Sequence, residues 1–141
     1  MSNSRAVKVG DVLDGFSRRT DLENWNRYAA VNDEFVPIHM DDAAGQSAGY
    51  PTAIGMGNLQ WAYMHNAVRE WLAGDGEIKS LSCQFRAANL RNTTVTVKGV
   101  VTDVAQAEDG TSVTINLRTE NDTGETLAPG AAVVLLYGVS S

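Results

Sequence analysis

The chain has 141 residues, 43% of them hydrophobic and 20% charged, and 11 Lys plus Arg against 17 Asp plus Glu leave a formal charge of −6. That size and balance suit one globular domain over residues 1–141, able to fold without disulfides or a structural metal, and exclude a disordered, collagen-like or coiled-coil chain. The negative charge repels phosphate backbones and anionic lipid, and polar residues break every apolar run well short of the roughly 20 residues a membrane span needs. Nucleic acid and membrane are therefore excluded as partners. Residues 1–9 carry no segment of signal-peptide type, so a cytoplasmic location is the expectation.

In chain order, a short strand is expected before Thr20. A helix is predicted over 20–31, because Thr20 with Glu23 forms a capping box and Asp21 adds negative charge to the first turn. Its Leu22, Trp25, Tyr28, Ala29 and Val31 share one face, which reads as core packing. Residues 32–42 contain Pro37 and read as a loop. A second helix is predicted over 56–73, since 58–73 lacks Gly and Pro and Gly74 follows as a C-terminal cap. Leu59, Trp61, Ala62, Tyr63, Met64, Ala67, Val68, Trp71 and Leu72 leave it few polar positions, the pattern of a buried helix. Alternating β-branched and polar residues then predict strands over 79–88, 93–104, 111–120 and 131–139, with turns at 108–110 and 121–124. Long strands joined by tight turns, preceded by an apolar helix, give an α+β class: an antiparallel, strongly bent sheet wrapped around a central helix.

The reactive groups concentrate between Tyr28 and Gly57. Glu34 and His39 lie five apart across a proline-containing loop that can fold back on itself, bringing a carboxylate and an imidazole to one small volume, as general acid–base chemistry requires. Asp33, Asp41 and Asp42 are rival carboxylates. By pattern alone the same residues also suit a solvated loop with a hydrogen-bonded histidine. Gly55 and Gly57 precede the apolar helix, whose first N–H groups can stabilise a developing oxyanion or simply turn the chain. His39 and His65, 26 positions apart, do not make a metal-ligand spacing, so no metal is expected. Cys83, the one cysteine, sits within an alternating strand and reads as a small buried thiol.

These residues resemble the MaoC-like hot-dog proteins, which include (R)-specific enoyl-CoA hydratases and 3-hydroxyacyl thioester dehydratases. The family pattern of Tyr-Ala, Asp-x-Asn-Pro-x-His-x-Asp, a spacer rich in Ala and Gly, and Ile-Ala-His-Gly-Met is matched by Tyr28-Ala29, Glu34-Phe35-Val36-Pro37-Ile38-His39-Met40-Asp41, Gly49 and Ile54-Gly55-Met56-Gly57-Asn58. The specific part covers residues 28–64. The resemblance implies a hot-dog fold and reversible hydration of a trans-2-enoyl thioester to a (3R)-3-hydroxyacyl thioester, with no cofactor and with coenzyme A or carrier-protein thioesters as substrate.

By position, His39 matches the catalytic histidine, Glu34 takes the place of the catalytic aspartate with Asp33 in reserve, and Gly57 supplies the N–H facing the thioester oxygen. Gly55, Met56, Trp61 and His65 are the implied substrate-binding positions, His65 reaching the pocket from within the helix or serving as a hydrogen-bonded core residue. Three departures stand out: Glu34 for Asp, Val36 for Asn, and Met56 for the histidine before the glycine. The resemblance also implies a homodimer, with a heterodimer with another hot-dog subunit as the variant. Arg86 and Arg91 are candidates to meet coenzyme A phosphates, and Trp61, Tyr63 and Trp71 either line an acyl pocket or fill the core. The Val36 and Met56 departures also fit a non-catalytic or partner-dependent subunit. A hot-dog thioesterase fits less well, because residues 58–71 offer only Glu70 as a carboxylate, near the far end of the helix.

Overall fold

The computed structural model describes residues 6–13, 15, 17–21, 25, 37–55, 57–90 and 92–138. β1 (Val12–Leu13) and β2 (Ser17–Thr20) pair with different stretches of the same long strand, β4 (Thr93–Ala107), which carries on into β5 (Gly110–Glu120) and β6 (Thr126–Tyr137). β3 (Gly76–Cys83) pairs with β6, so the antiparallel order is β1-β4-β5-β6-β3 with β2 also on β4. Two helices are fully described: α1 (Asp42–Ser47) and α2 (Gly57–Leu72). Register shifts in β4 after Val101 and in β3 after Ile78 add an extra residue on one strand, which sharpens the twist and lets the sheet curl.

α2 lies in that curl. Leu59, Tyr63, Met64, Ala67, Val68 and Leu72 are buried against Val95, Val97 and Val101 of β4, Val113, Ile115 and Leu117 of β5, and Leu127, Ala132, Val134 and Leu136 of β6. Their alternation along each strand is what puts every second side chain on the helix. Gly74 takes the left-handed conformation expected of a C-terminal cap, at φ 84°, and Asp75 N–H closes the end on Leu72 O at 2.8 Å. The result is the hot-dog arrangement, an antiparallel sheet wrapped around one long helix. Among the described residues no helix is long and apolar enough to cross a membrane.

Several elements differ from the sequence expectation. The helix is buried on one face only: Asn66, Arg69 and Glu70 face outward, and Trp61 is 42% exposed, its indole N–H donating to Leu81 O at 3.1 Å. β3 ends at Cys83 rather than 88, because the successive N–H groups of Arg86 and Ala87 converge on one carbonyl, Leu127 O, at 2.9 and 3.1 Å, which breaks the regular ladder. β6 starts five residues earlier than predicted, in spite of Pro129. The Pro129 carbonyl accepts from Gln84 N–H at 2.9 Å, so the missing proline N–H falls on that same side, past the end of β3, and the β5 pairing is untouched. α1 occupies a stretch expected to be loop and spacer. Of the predicted helix over 20–31, Trp25 is helical and fully buried, with its N–H on Asp21 O, while Thr20 closes β2. The rest of that helix lies outside the described residues.

Candidate active site

Pro37 sets the backbone at the start of a 3-10 turn over Pro37–His39, and Pro37 O accepts from both Met40 and Asp41 N–H. Asp41 then caps α1, its Oδ1 accepting from Ala43 N–H at 3.1 Å. Asp42 Oδ1 accepts from Ala53 N–H at 3.0 Å, and Ile54 N–H donates to Ile38 O at 2.8 Å. The segment before α1 is thereby zipped to the segment before α2. Two of the three rival carboxylates, Asp41 and Asp42, are occupied in holding this shape.

The zipper positions His39. Its Nδ1 stands 2.7 Å from Ile54 O. A carbonyl oxygen only accepts, so Nδ1 carries the proton and Nε2 of the neutral ring is an acceptor. His39 is half-buried and lines a cleft of about 340 Å³ together with Tyr50, Gly55, Gln60, Phe85 and Asn89.

The cleft floor is polar and tightly built. Gly55 N–H donates to Asn89 O at 2.7 Å, and a Cβ at Gly55 would meet Asn89 Nδ2 at 2.7 Å and Trp25 Nε1 at 3.0 Å, so only glycine lets these chains approach. Asn89 is 1% exposed, with its Oδ1 3.1 Å from the hydroxyls of both Thr20 and Thr93. Gln60 is 2% exposed, and its Oε1 accepts from Thr119 Oγ1 at 2.7 Å.

Of the positions the sequence singled out, the structure brings His39 and Gly55 into this cleft, with Arg86 on its wall, where Arg86 Nη2 donates to Gln84 Oε1 at 2.9 Å. Gly57 opens α2, so its N–H belongs to the first turn, whose donors have no intrahelical acceptor. The Gly55 N–H is committed to Asn89 and cannot serve as an oxyanion donor. Asp33, Glu34, Val36, Met56 and Arg91 lie outside the described residues.

Trp61 and His65 do not line the cleft with His39; they lie on the flank of α2 that faces β3. Their rings meet edge to face with centroids 4.5 Å apart, and His65 lines a separate recess with Arg69, Leu72 and residues 76–81. The helical repeat explains this, since residues 61, 65 and 69 form one stripe and residue 60 points about 100° away from it. Burial, and then the neighbouring Arg69 guanidinium, push the His65 pKa below the usual histidine range. Tyr63 and Trp71 pack in or against the core. The Cys83 thiol is half-buried and desolvation pushes its pKa up, the opposite of an activated nucleophile. Among the described residues no three His, Cys, Asp or Glu side chains are grouped to hold a metal ion.

Gln60 and Asn89 were not anticipated. A single glutamine within Leu59 to Met64 was the available signal for the first, and a buried asparagine following two alanines offers less.

The model of the MaoC like domain matches residues 6–123. Comparison with curated protein sequences yields no match. Among solved structures, an (R)-hydratase from A. caviae involved in PHA biosynthesis superposes with a TM-score of 0.82 at 25% identity, covering 94% of this chain and 99% of the other. R-hydratase PhaJ1 from Pseudomonas aeruginosa gives 0.82 at 17% identity, covering 94% and 83%. The ChsH1-ChsH2 complex from Mycobacterium tuberculosis gives 0.81 at 20% identity, covering 93% and 99%.

Proposed function

The chain belongs to the MaoC-like family, and on that premise we propose that it catalyses reversible hydration of trans-2-enoyl thioesters to (3R)-3-hydroxyacyl thioesters. The observation that carries this reading is His39, with Nδ1 tied to Ile54 O and the ring lining the cleft beside the start of α2. An imidazole fixed in that tautomer keeps Nε2 as the proton acceptor for a bound water, and the carbonyl partner stabilises the imidazolium that forms.

In the hydration direction, His39 and the motif-matched Glu34 hold one water. Its oxygen forms the bond to C3, the C2–C3 π electrons move toward the thioester carbonyl, one water proton passes to the dyad, and a proton is delivered to C2. The enolate oxygen faces the Gly57 N–H and the positive end of the α2 dipole. No step calls for a cofactor. The acyl group is carried by coenzyme A or a carrier protein, and two copies of the chain pair as a homodimer.

A partner-dependent subunit is the second reading, favoured by the Val36 and Met56 departures from the family pattern. Assaying trans-2-enoyl-CoA by loss of its conjugated absorbance separates the two. Turnover by the protein alone, largely abolished in Glu34→Gln and in His39→Ala with the fold retained, supports the enzyme. Turnover appearing only with an added hot-dog subunit supports the second reading, and near wild-type turnover in either variant refutes the assigned roles.

A further inference from the structure

The carboxamide of Gln60 is a hydrogen-bond donor built into the cleft. Residue 60 lies on the first turn of α2, 2% exposed, yet it lines the same cleft as His39. Its orientation follows from proton counting. The Thr119 hydroxyl, on fully buried Thr119 of β5, has one proton to place, and Gln60 Oε1 at 2.7 Å is the acceptor. That separation is the usual O–H···O distance and short for N–H···O. The oxygen end of the carboxamide is thus fixed against β5, and the NH2 end carries no hydrogen bond among the described residues. Among the described residues the enclosed side-chain nitrogens without a partner are Trp25 Nε1 and His65 Nε2, so Gln60 Nε2 instead opens onto the cleft, where it is available to an acceptor on a ligand.

We propose that Gln60 Nε2 donates to the carbonyl oxygen of the bound thioester, beside the first-turn N–H of α2, and that Thr119 is the positioning residue that aims it. This rests on the thioester reading above and names a contact within that site. The donor set explains the acceptor. Two N–H groups of Gln60 and the N–H end of a helix offer hydrogens only, which suits an oxygen that gains negative charge as water adds at C3.

The test uses butyryl-CoA with a 13C-labelled carbonyl, which binds without reacting, and reads the carbonyl stretch of the bound thioester by difference infrared spectroscopy. Gln60→Glu keeps an oxygen for the Thr119 hydroxyl and removes the NH2, so it separates the donor from the structural contact. Gln60→Leu removes both. The proposal predicts a carbonyl band shifted to lower frequency on wild-type protein, with that shift reduced in both variants and in Thr119→Val. With an enoyl-CoA, kcat falls about 10- to 100-fold in Gln60→Leu while KM changes little. A band equally shifted in wild type and Gln60→Glu, with both folded and binding butyryl-CoA, overturns the Gln60 contact and leaves the hydratase reading intact. Failure of the wild-type protein to bind or turn over any acyl-CoA or enoyl-CoA overturns both.

Discussion

The Nδ1 of His39 stands 2.7 Å from the carbonyl oxygen of Ile54, a bond between two segments fifteen residues apart that fixes the imidazole tautomer before any substrate arrives. His39→Asn tests what that bond is for. An asparagine amide can still donate to Ile54 O but offers no ring nitrogen to the cleft. The expected result is a loss of kcat/KM of about 100-fold or more with a melting temperature close to wild type. His39→Leu loses the loop bond as well and lowers both.

Gly55 is held where no side chain fits, with Asn89 Nδ2 2.7 Å and Trp25 Nε1 3.0 Å from the place its Cβ would occupy. Gly55→Ala is expected to destabilise the protein by about 1–3 kcal/mol, the cost of overpacking, read from the urea midpoint. Because Gly55 also bonds Asn89 O, the same variant displaces the cleft floor and lowers activity.

The fold was legible where local and global signals agree. The alternation through Val95, Val97 and Val101 and through Val113, Ile115 and Leu117 foretold β4 and β5, and those positions are buried on the helix. The end of β3 was not legible, since 84–88 keeps a strand-like composition and only the shared acceptor Leu127 O ends the ladder. α1 was missed because Gly45 lowers helix propensity. In the fold that glycine is required, a Cβ there coming within 2.0 Å of Thr52 O. His39 could be found because histidines are few and Pro37 marks the loop. Gln60 was overlooked in spite of its apolar neighbours, because a polar residue on a helix reads as solvent-facing until the sheet is seen to close over it.

His65 provides a pH dependence. Its pKa is lowered in the folded state, by desolvation first and by Arg69 second, in a recess that also holds Glu77 and Lys79. As pH falls below about 6.5, the unfolded chain takes up a proton the folded one resists, so stability declines from there down to the folded value. His65→Phe keeps an aromatic partner for Trp61 and removes the titration. The difference in urea midpoint between pH 7.5 and pH 5.5 is expected to shrink in the variant; an unchanged difference contradicts the assignment.

Glu120 behaves in the opposite sense. Arg118 Nε at 2.5 Å and Lys98 Nζ at 2.9 Å hold its carboxylate, and their hydrogen bonds push its pKa below the usual glutamate range. The stabilisation is complete above the unfolded value of about 4.3 and is lost as pH falls through the lower folded value. Glu120→Gln is expected to cost about 1 kcal/mol at pH 7, with Arg118 and Lys98 partly exposed and screened, and the two proteins converge in strong acid.

Whether a fixed imidazole beside the start of α2 adds water to an enoyl thioester is read by following crotonyl-CoA absorbance with the purified protein and with His39→Asn. Wild-type protein is expected to remove the conjugated band and form the (3R)-hydroxy product, with little conversion by the folded variant. Equal rates for the two proteins would contradict that role of His39.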